Sequence, residues 1–281
     1  MKGNHPIRVL CELLGLSRSN YYQARQRGPS AREREDAQLA QKIADSHRRS
    51  RGTYGAPRIV EDLREQGLCI GRQRCARLMK AQGIRGRKPR TTDSRQTHAP
   101  APNRLAQQPA PTGPNQIWIT DITCVLTSEG WLYLAAIVDL WSRRVVGWAC
   151  GPTMHVSLVL SALRKALAQR RPPAGVLHHS DRGSQYSAHE YTAALTAAGL
   201  VASMSRAGNC YDNATMESFW STCKSDTQLD ALVPPTRRAA ELAIFDYIET
   251  FYNPTRRHSS LGQISPVAFE NLNSRKDTKA A

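Results

Sequence analysis

Apolar side chains recur at Ile7, Val9, Leu10, Leu13 and Leu14, the stripe of one helix face. Gly15 breaks it, and Ser17 offers a cap to a second helix through Asn20, Tyr21 and Tyr22. Residues 1–30 thus predict two short helices around a glycine turn, either a helix-turn-helix or a plain helical hairpin. A helix is expected over 34–48, where Ala37, Ala40, Ile43 and Ala44 share a face. Pro57 suits the first position of a helix from Arg58 to Glu65, closed by Gly67. A third helix is expected from Arg72 to Gln82, stopped by Gly83, with Cys75, Leu78 and Met79 inward. Residues 34–90 together read as an all-α helix-turn-helix module.

Over 91–114 the periodicity dissolves among Pro100, Pro102, Pro109, Pro111 and Pro114, which predicts a semi-extended linker. Beyond it the period shortens to two. A strand over 115–127, a turn at Ser128-Glu-Gly130, a strand Trp131–Val138, a turn over 139–142 and a strand Arg143–Ala149 make an antiparallel meander. A helix His155–Arg170 ends before Pro172-Pro173. A strand Val176–His179, a helix Ala188–Ala198 ended by Gly199, and a strand Val201–Ser205 follow. After a Gly208-Asn209 loop, Asp212 or Asn213 caps a helix through Lys224, and a last helix spans Arg237–Tyr252. This order predicts an α/β body over 115–230, a mixed sheet with helices on both faces. A helical extension over 231–270 and a tail over 271–281 complete the chain.

Charge separates these parts. The 281 residues carry 39 Lys and Arg against 23 Asp and Glu, net +16. Residues 1–113 hold 23 and 9 of these, net +14, whereas residues 114–281 hold 16 and 14, net +2. A polyanion-binding module joined to a near-neutral body follows, because neutralising phosphates takes clustered Lys and Arg. Arg72, Arg74, Arg77 and Lys80 make the helix 72–82 the candidate recognition helix for the DNA major groove, with a merely solvated basic face as the alternative. Arg85, Arg87, Lys88 and Arg90 extend that surface.

At 40% hydrophobic and 22% charged residues the chain has the composition of a folded protein. Its longest apolar run, Trp131 to Val138, is far below the roughly 20 residues that span a bilayer, and no signal-peptide core follows Met1. A cytoplasmic protein is expected. Cysteines 11, 69, 75, 124, 150, 210 and 223 form no Cys-x-x-Cys pair, so free buried thiols are expected rather than disulfides or zinc.

Three acids occupy places that chemistry can use. Asp121 lies within a strand expected to be largely buried, where an unpaired carboxylate carries a desolvation penalty that a cation would relieve. Asp181 stands in His179-Ser-Asp-Arg-Gly183 at a strand's carboxyl end, where open α/β sheets place ligands. Glu217, about one turn into its helix, can point back over the sheet. Oxygen ligands alone suit Mg²⁺ or Mn²⁺. Two such ions about 3.5–4 Å apart serve in-line phosphoryl displacement. A set of capping and salt-bridging acids is the plainer alternative.

Asp121, Asp181 and Glu217, with 35 residues between the last two, resemble the Asp-Asp-Glu triad of retroviral-integrase-like transposases. The surrounding strings resemble the second-frame (OrfB) transposases of bacterial insertion sequences. They are Trp118-Ile-Thr-Asp-Ile-Thr123, Val138-Asp-Leu-Trp-Ser-Arg143, Val146-Gly-Trp148, His179-Ser-Asp-Arg-Gly-Ser-Gln-Tyr186, Ser203-Met-Ser205, Asp212-Asn-Ala-Thr-Met-Glu-Ser-Phe219, Phe251-Tyr-Asn253, Arg257-His-Ser-Ser-Leu-Gly262 and Ser265-Pro266. Gly52-Thr-Tyr-Gly-Ala-Pro-Arg58 with the helix 72–82 resembles that family's helix-turn-helix module.

The resemblance implies a ribonuclease-H-like fold, cleavage at element ends by water, and attack of the freed 3′-OH on another strand. It implies that Asp121, Asp181 and Glu217 hold two Mg²⁺ ions, with Mn²⁺ as a substitute. Implied partners are double-stranded DNA at element ends and target, further copies of the chain on DNA, and a companion from the upstream reading frame. Lys224, two turns after Glu217, and Arg256 and Arg257, with His258, are candidate phosphate contacts, with a solvated helix-end lysine and an ordinary surface cluster as the alternatives. Asp139 reads as a turn residue, and His179 as a structural histidine, with orientation of Asp181 or a DNA contact as the alternatives. Cys210, Cys223, Gln263 and the uncapped Gly71 depart from the family pattern, and no His/Cys zinc domain is present. A catalytically silent DNA-binding regulator and a ribonuclease-H-type nuclease are the competing readings. The second is disfavoured because helix-turn-helix modules read a major groove that A-form duplexes hide.

Overall fold

The structure is a computed structural model that describes residues 6–26, 28–87, 101–205 and 214–280. The expected Gly208-Asn209 loop, the helix cap at Asp212 or Asn213, Cys210, Lys88, Arg90 and the first part of the linker lie outside these residues. Two compact units form, one ending at Gly86 and one beginning at Arg87.

In the first unit, α1 (Ile7–Leu13) and α2 (Arg18–Gln26) form as expected. Their apolar stripe does not face inward: Cys11 is buried, whereas Leu13 and Leu14 are 77% and 69% exposed. Helix α3 (Ala31–Arg49) starts three residues before the expected position. Ser30 and Glu33 make a reciprocal capping box that satisfies two end N–H groups. Helices α4 (Ala56–Glu65) and α5 (Arg72–Ala81) pack on it through Leu39, Ile43, Ile59, Leu63, Cys75, Leu78 and Met79, all buried. Gly71 precedes α5 without a side-chain cap.

The second unit is built on a sheet of β1 (Ile117–Thr127), β2 (Gly130–Asp139), β3 (Val145–Gly151), β4 (Leu177–Ser180) and β5 (Val201–Met204), ordered β3-β2-β1-β4-β5. The first three strands are antiparallel, and β4 and β5 join parallel to β1. β3 starts two residues later than expected because Arg143 takes a left-handed φ of 61°, closing the turn with its N–H on the Asp139 carbonyl. Helix α6 (Val156–Arg170) lies so close to β3 that a Cβ on Gly147 would run into Ala162 and Ala166. With α7 (Ser184–Ser187) and α8 (His189–Ala197) it covers a core containing Trp118, Ile137, Leu163, Tyr186 and Tyr191.

Helix α9 (Ala214–Asp226) packs against β1, and α10 (Arg237–Phe245) runs into a π-helical stretch Asp246–Tyr252. That wider turn buries Tyr247, Ile248, Phe251 and Tyr252 where one regular helix was expected. Asn253 then pins the segment to the sheet, accepting from the Val145 N–H and donating to its carbonyl. The expected tail instead continues α11 (Pro266–Ala280). Glu270 on α11 accepts from Arg144 and from both terminal nitrogens of Arg170. The later part of the expected linker is docked rather than extended: the Arg104 and Leu105 N–H groups donate to Ser203 Oγ at 3.0 and 3.3 Å. Among the described residues no helix is long and apolar enough to cross a membrane. The six described cysteines are free, but only Cys11, Cys75 and Cys223 are buried, and Cys69 is exposed.

Candidate active site

Parallel pairing of β1 with β4 runs from Ile117 opposite Leu177 to Ile119 opposite His179. Asp121 and Asp181 each follow two residues later, so both carboxylates belong to the fork where β4 ends and β1 continues. Asp121 is half-buried rather than buried, and Oδ2 accepts the Trp220 indole N–H at 2.9 Å. Asp181 Oδ1 accepts the Gly183 N–H at 2.9 Å. Burial pushes the Asp181 carboxyl above its ordinary range, and the Gly183 N–H opposes that rise. A Cβ at Gly183 would stand 3.0 Å from the same oxygen.

Glu217 comes from a different element, α9. It is exposed in the first turn of α9, one turn before Trp220, which is the side chain that α9 presents to Asp121. Among the described residues no three His, Cys, Asp or Glu side chains are grouped to hold a metal ion. The two aspartates nevertheless suit a divalent cation. They are hard oxygen donors at one sheet fork, and burial of Asp181 disfavours its charge until a cation compensates it.

Other side chains fall into place around them. Asp139 is fully buried, and its oxygens accept the N–H groups of Asn115, Trp141 and Ser142, a turn-capping role as read from the sequence. His179 is fully buried, with Nδ1 on Ser203 Oγ at 2.9 Å, on the β5 side of its strand. Lys224 is half-buried in the last turn of α9. Trp220 had no role in the sequence reading, and Tyr186 entered it only inside a string. Arg143 was likewise missed; it donates to Thr215 Oγ1 at 2.6 Å and so ties the β2–β3 turn to the helix bearing Glu217.

The basic candidates divide. Arg74 is bound to Glu35 and Asp36 on α3, and Arg77 donates to Asp36 at 2.6 Å. Arg74 thus joins two helices instead of facing a groove, whereas Arg72 and Lys80 are exposed. Arg256 is a correction: it is 5% exposed and ion-paired with Asp226 at 2.6 Å, so it is no surface contact. Arg257 is half-buried and donates to the Gln263 carbonyl. Arg87 donates to the Ser225 carbonyl.

Family models match three stretches of the chain. Residues 33–91 match an HTH-like domain, and residues 111–210 and 198–266 each match an integrase core domain. Among solved structures, the HTLV-2 integrase catalytic core domain in complex with magnesium is similar at 18% identity and a TM-score of 0.45, over 57% of this chain and 98% of that one. A simian T-cell lymphotropic virus intasome in complex with a PP2A regulatory subunit gives 18% and 0.47, over 75% and 70%. The insertion element IS600 uncharacterized 31 kDa protein of Shigella sonnei is 48% identical, over 92% of this chain and 97% of that protein. Transposase InsF for insertion sequence IS3A of Escherichia coli is 39% identical, over 95% and 94%. With an HTH-like module, an integrase core and such identity over nearly its whole length, the chain belongs to the insertion-sequence transposase family that includes InsF.

Proposed function

We propose that this transposase cuts DNA at the ends of an insertion sequence and joins the freed 3′-OH to a second strand, as a metal-dependent polynucleotidyl transferase. The observation that carries the reading is that Asp121 and Asp181 each stand two residues beyond the last pair of the β1–β4 ladder. Asp121 and Asp181 would hold Mg²⁺, or Mn²⁺ in its place, with Glu217 joining from α9 to complete a two-ion site. Such a cation supplies Lewis-acid stabilisation of the oxygens in phosphoryl transfer. The chain's own groups orient that site: the Trp220 N–H fixes one oxygen of Asp121, and the Gly183 N–H fixes one of Asp181.

Lys224 would hold a phosphate near these acids. The module over 34–90 would bind duplex element ends, with Arg72 and Lys80 on its exposed α5 face and Arg77 at the margin, while 115–230 performs the chemistry. Bringing two ends together takes more than one copy of the chain, and an upstream-frame product is the proposed companion. The working compartment is the cytoplasm, at the nucleoid.

Strand transfer with Mg²⁺ on DNA bearing the cognate inverted repeats tests the reading. Asp121→Asn and Glu217→Gln are expected to leave no detectable product while retaining end binding. Undiminished product from either variant would overturn the assigned mechanism. Specific end binding by the wild type, without any metal-dependent product, would make the chain a regulator on an integrase-like scaffold.

A further inference from the structure

The backbone ladder between β1 and β4 stops at Ile119 and His179, so no backbone pairing fixes the separation of Asp121 from Asp181 two residues on. A buried chain of side-chain contacts spans that interval. Tyr186 in α7 is 2% exposed, and its N–H donates to the Gly183 carbonyl at 3.0 Å, while the Gly183 N–H holds Asp181. Its ring stands edge-on against Tyr191, with centroids 5.4 Å apart, and the Tyr191 hydroxyl pairs with His178 Nε2 at 2.8 Å on β4.

The Tyr186 hydroxyl reaches Thr120 Oγ1 at 3.3 Å, and Thr120 immediately precedes Asp121. Thr120 gives its own hydrogen to the Ala136 carbonyl at 3.0 Å, so in this pair Tyr186 is the donor. Burial keeps the Tyr186 phenol protonated and able to donate.

We propose that the Tyr186–Thr120 hydroxyl bond is a brace that sets the spacing of Asp121 and Asp181, making Tyr186 a positioning residue for the reaction. The inference rests on the reading of those aspartates as a divalent-cation site. Mg²⁺ demands near-ideal ligand geometry, so slack of a few tenths of an ångström between two carboxylates is felt in its affinity.

Tyr186→Phe keeps shape and removes the bond alone, whereas Thr120→Val removes it together with the Thr120 bond to the Ala136 carbonyl. The full-length protein is tested by Mn²⁺ binding followed by electron paramagnetic resonance, by the Mg²⁺ concentration giving half-maximal strand transfer, and by DNA affinity and thermal melting. Each variant is expected to bind Mn²⁺ about tenfold more weakly, the scale of losing a supporting hydrogen bond behind a metal ligand. Each should also need more Mg²⁺, with DNA affinity unchanged and the rate recovering at saturating Mn²⁺. The double variant should bind Mn²⁺ no more weakly than Thr120→Val alone, which loses the Ala136 bond besides, since the Tyr186–Thr120 bond is already absent in it.

Wild-type Mn²⁺ affinity in both variants would overturn the brace. If Tyr186→Phe fails to fold, Thr120→Val alone decides the matter. Asp121→Ala distinguishes the two levels: unchanged Mn²⁺ binding in that variant removes the cation site itself, and the brace with it.

Discussion

Asp121 and Asp139 stand on neighbouring strands and are put to opposite uses. Asp139 ends β2, where its carboxylate accepts two N–H groups from the following turn and a third from Asn115, so it is a structural anchor. Asp121 has the Trp220 indole on one oxygen and lies at an opening in the sheet. The turn residues around Asp139 made its role legible locally. Trp220 was illegible because it is 99 residues from its partner, and no local pattern links an indole on one helix to an acid on a strand. Gly183 lies between these cases, since its place after Asp181 was visible but the crowding around it was not. Gly183→Ala is expected to push Asp181 aside, lowering stability by about 1–3 kcal/mol by overpacking and strand transfer by more than that loss explains. Thermal melting and single-turnover strand transfer on the same preparation check this. Arg256→Ala should cost about 3–5 kcal/mol in urea unfolding, because it leaves Asp226 as an uncompensated buried charge.

At the scale of elements, α5 shows how packing sorts a run of like charges. Arg74 and Arg77, three residues apart, both reach acids of α3, but only Arg74 is half-buried; Arg77 stays exposed, as do Arg72 and Lys80. The sequence displayed four equivalent cations because helix periodicity shows which residues share a face, not what the neighbouring helix presents. Asp36 is held below the ordinary carboxylate range by the Arg77 and Arg74 hydrogen bonds, and Glu35 by Arg74. A carboxyl lowered on folding contributes stability above its unfolded value and loses it as the pH falls through its folded one. The melting temperature should therefore drop on acidification below about pH 4, and less steeply in Asp36→Asn, as followed by helical circular dichroism. Arg72→Ala and Lys80→Ala should leave melting unchanged and weaken binding to element-end DNA, whereas Arg74→Ala should lower melting first.

Across the molecule, charge and chemistry occupy different parts. The +14 of residues 1–113 predicts DNA binding that weakens steeply with salt. Each phosphate contact removed, as in Lys80→Ala, should make the log–log slope shallower by about 0.9, measured by fluorescence anisotropy across a salt series. The sequence by itself determined the order of helices and strands, the charge asymmetry, and the placing of Asp121 within a strand and Asp181 at a strand's carboxyl end. These follow from periodicity, turn residues and composition, which are local properties of the chain. Only the tertiary structure decided that Trp220 of α9 meets Asp121, that Arg256 is buried, that the α1–α2 stripe faces outward, and that residues 104–105 and the C-terminal helix dock on the sheet unit. Each of these depends on contacts between residues distant in sequence, where burial and hydrogen bonding are settled by which surfaces meet rather than by the segment's own pattern.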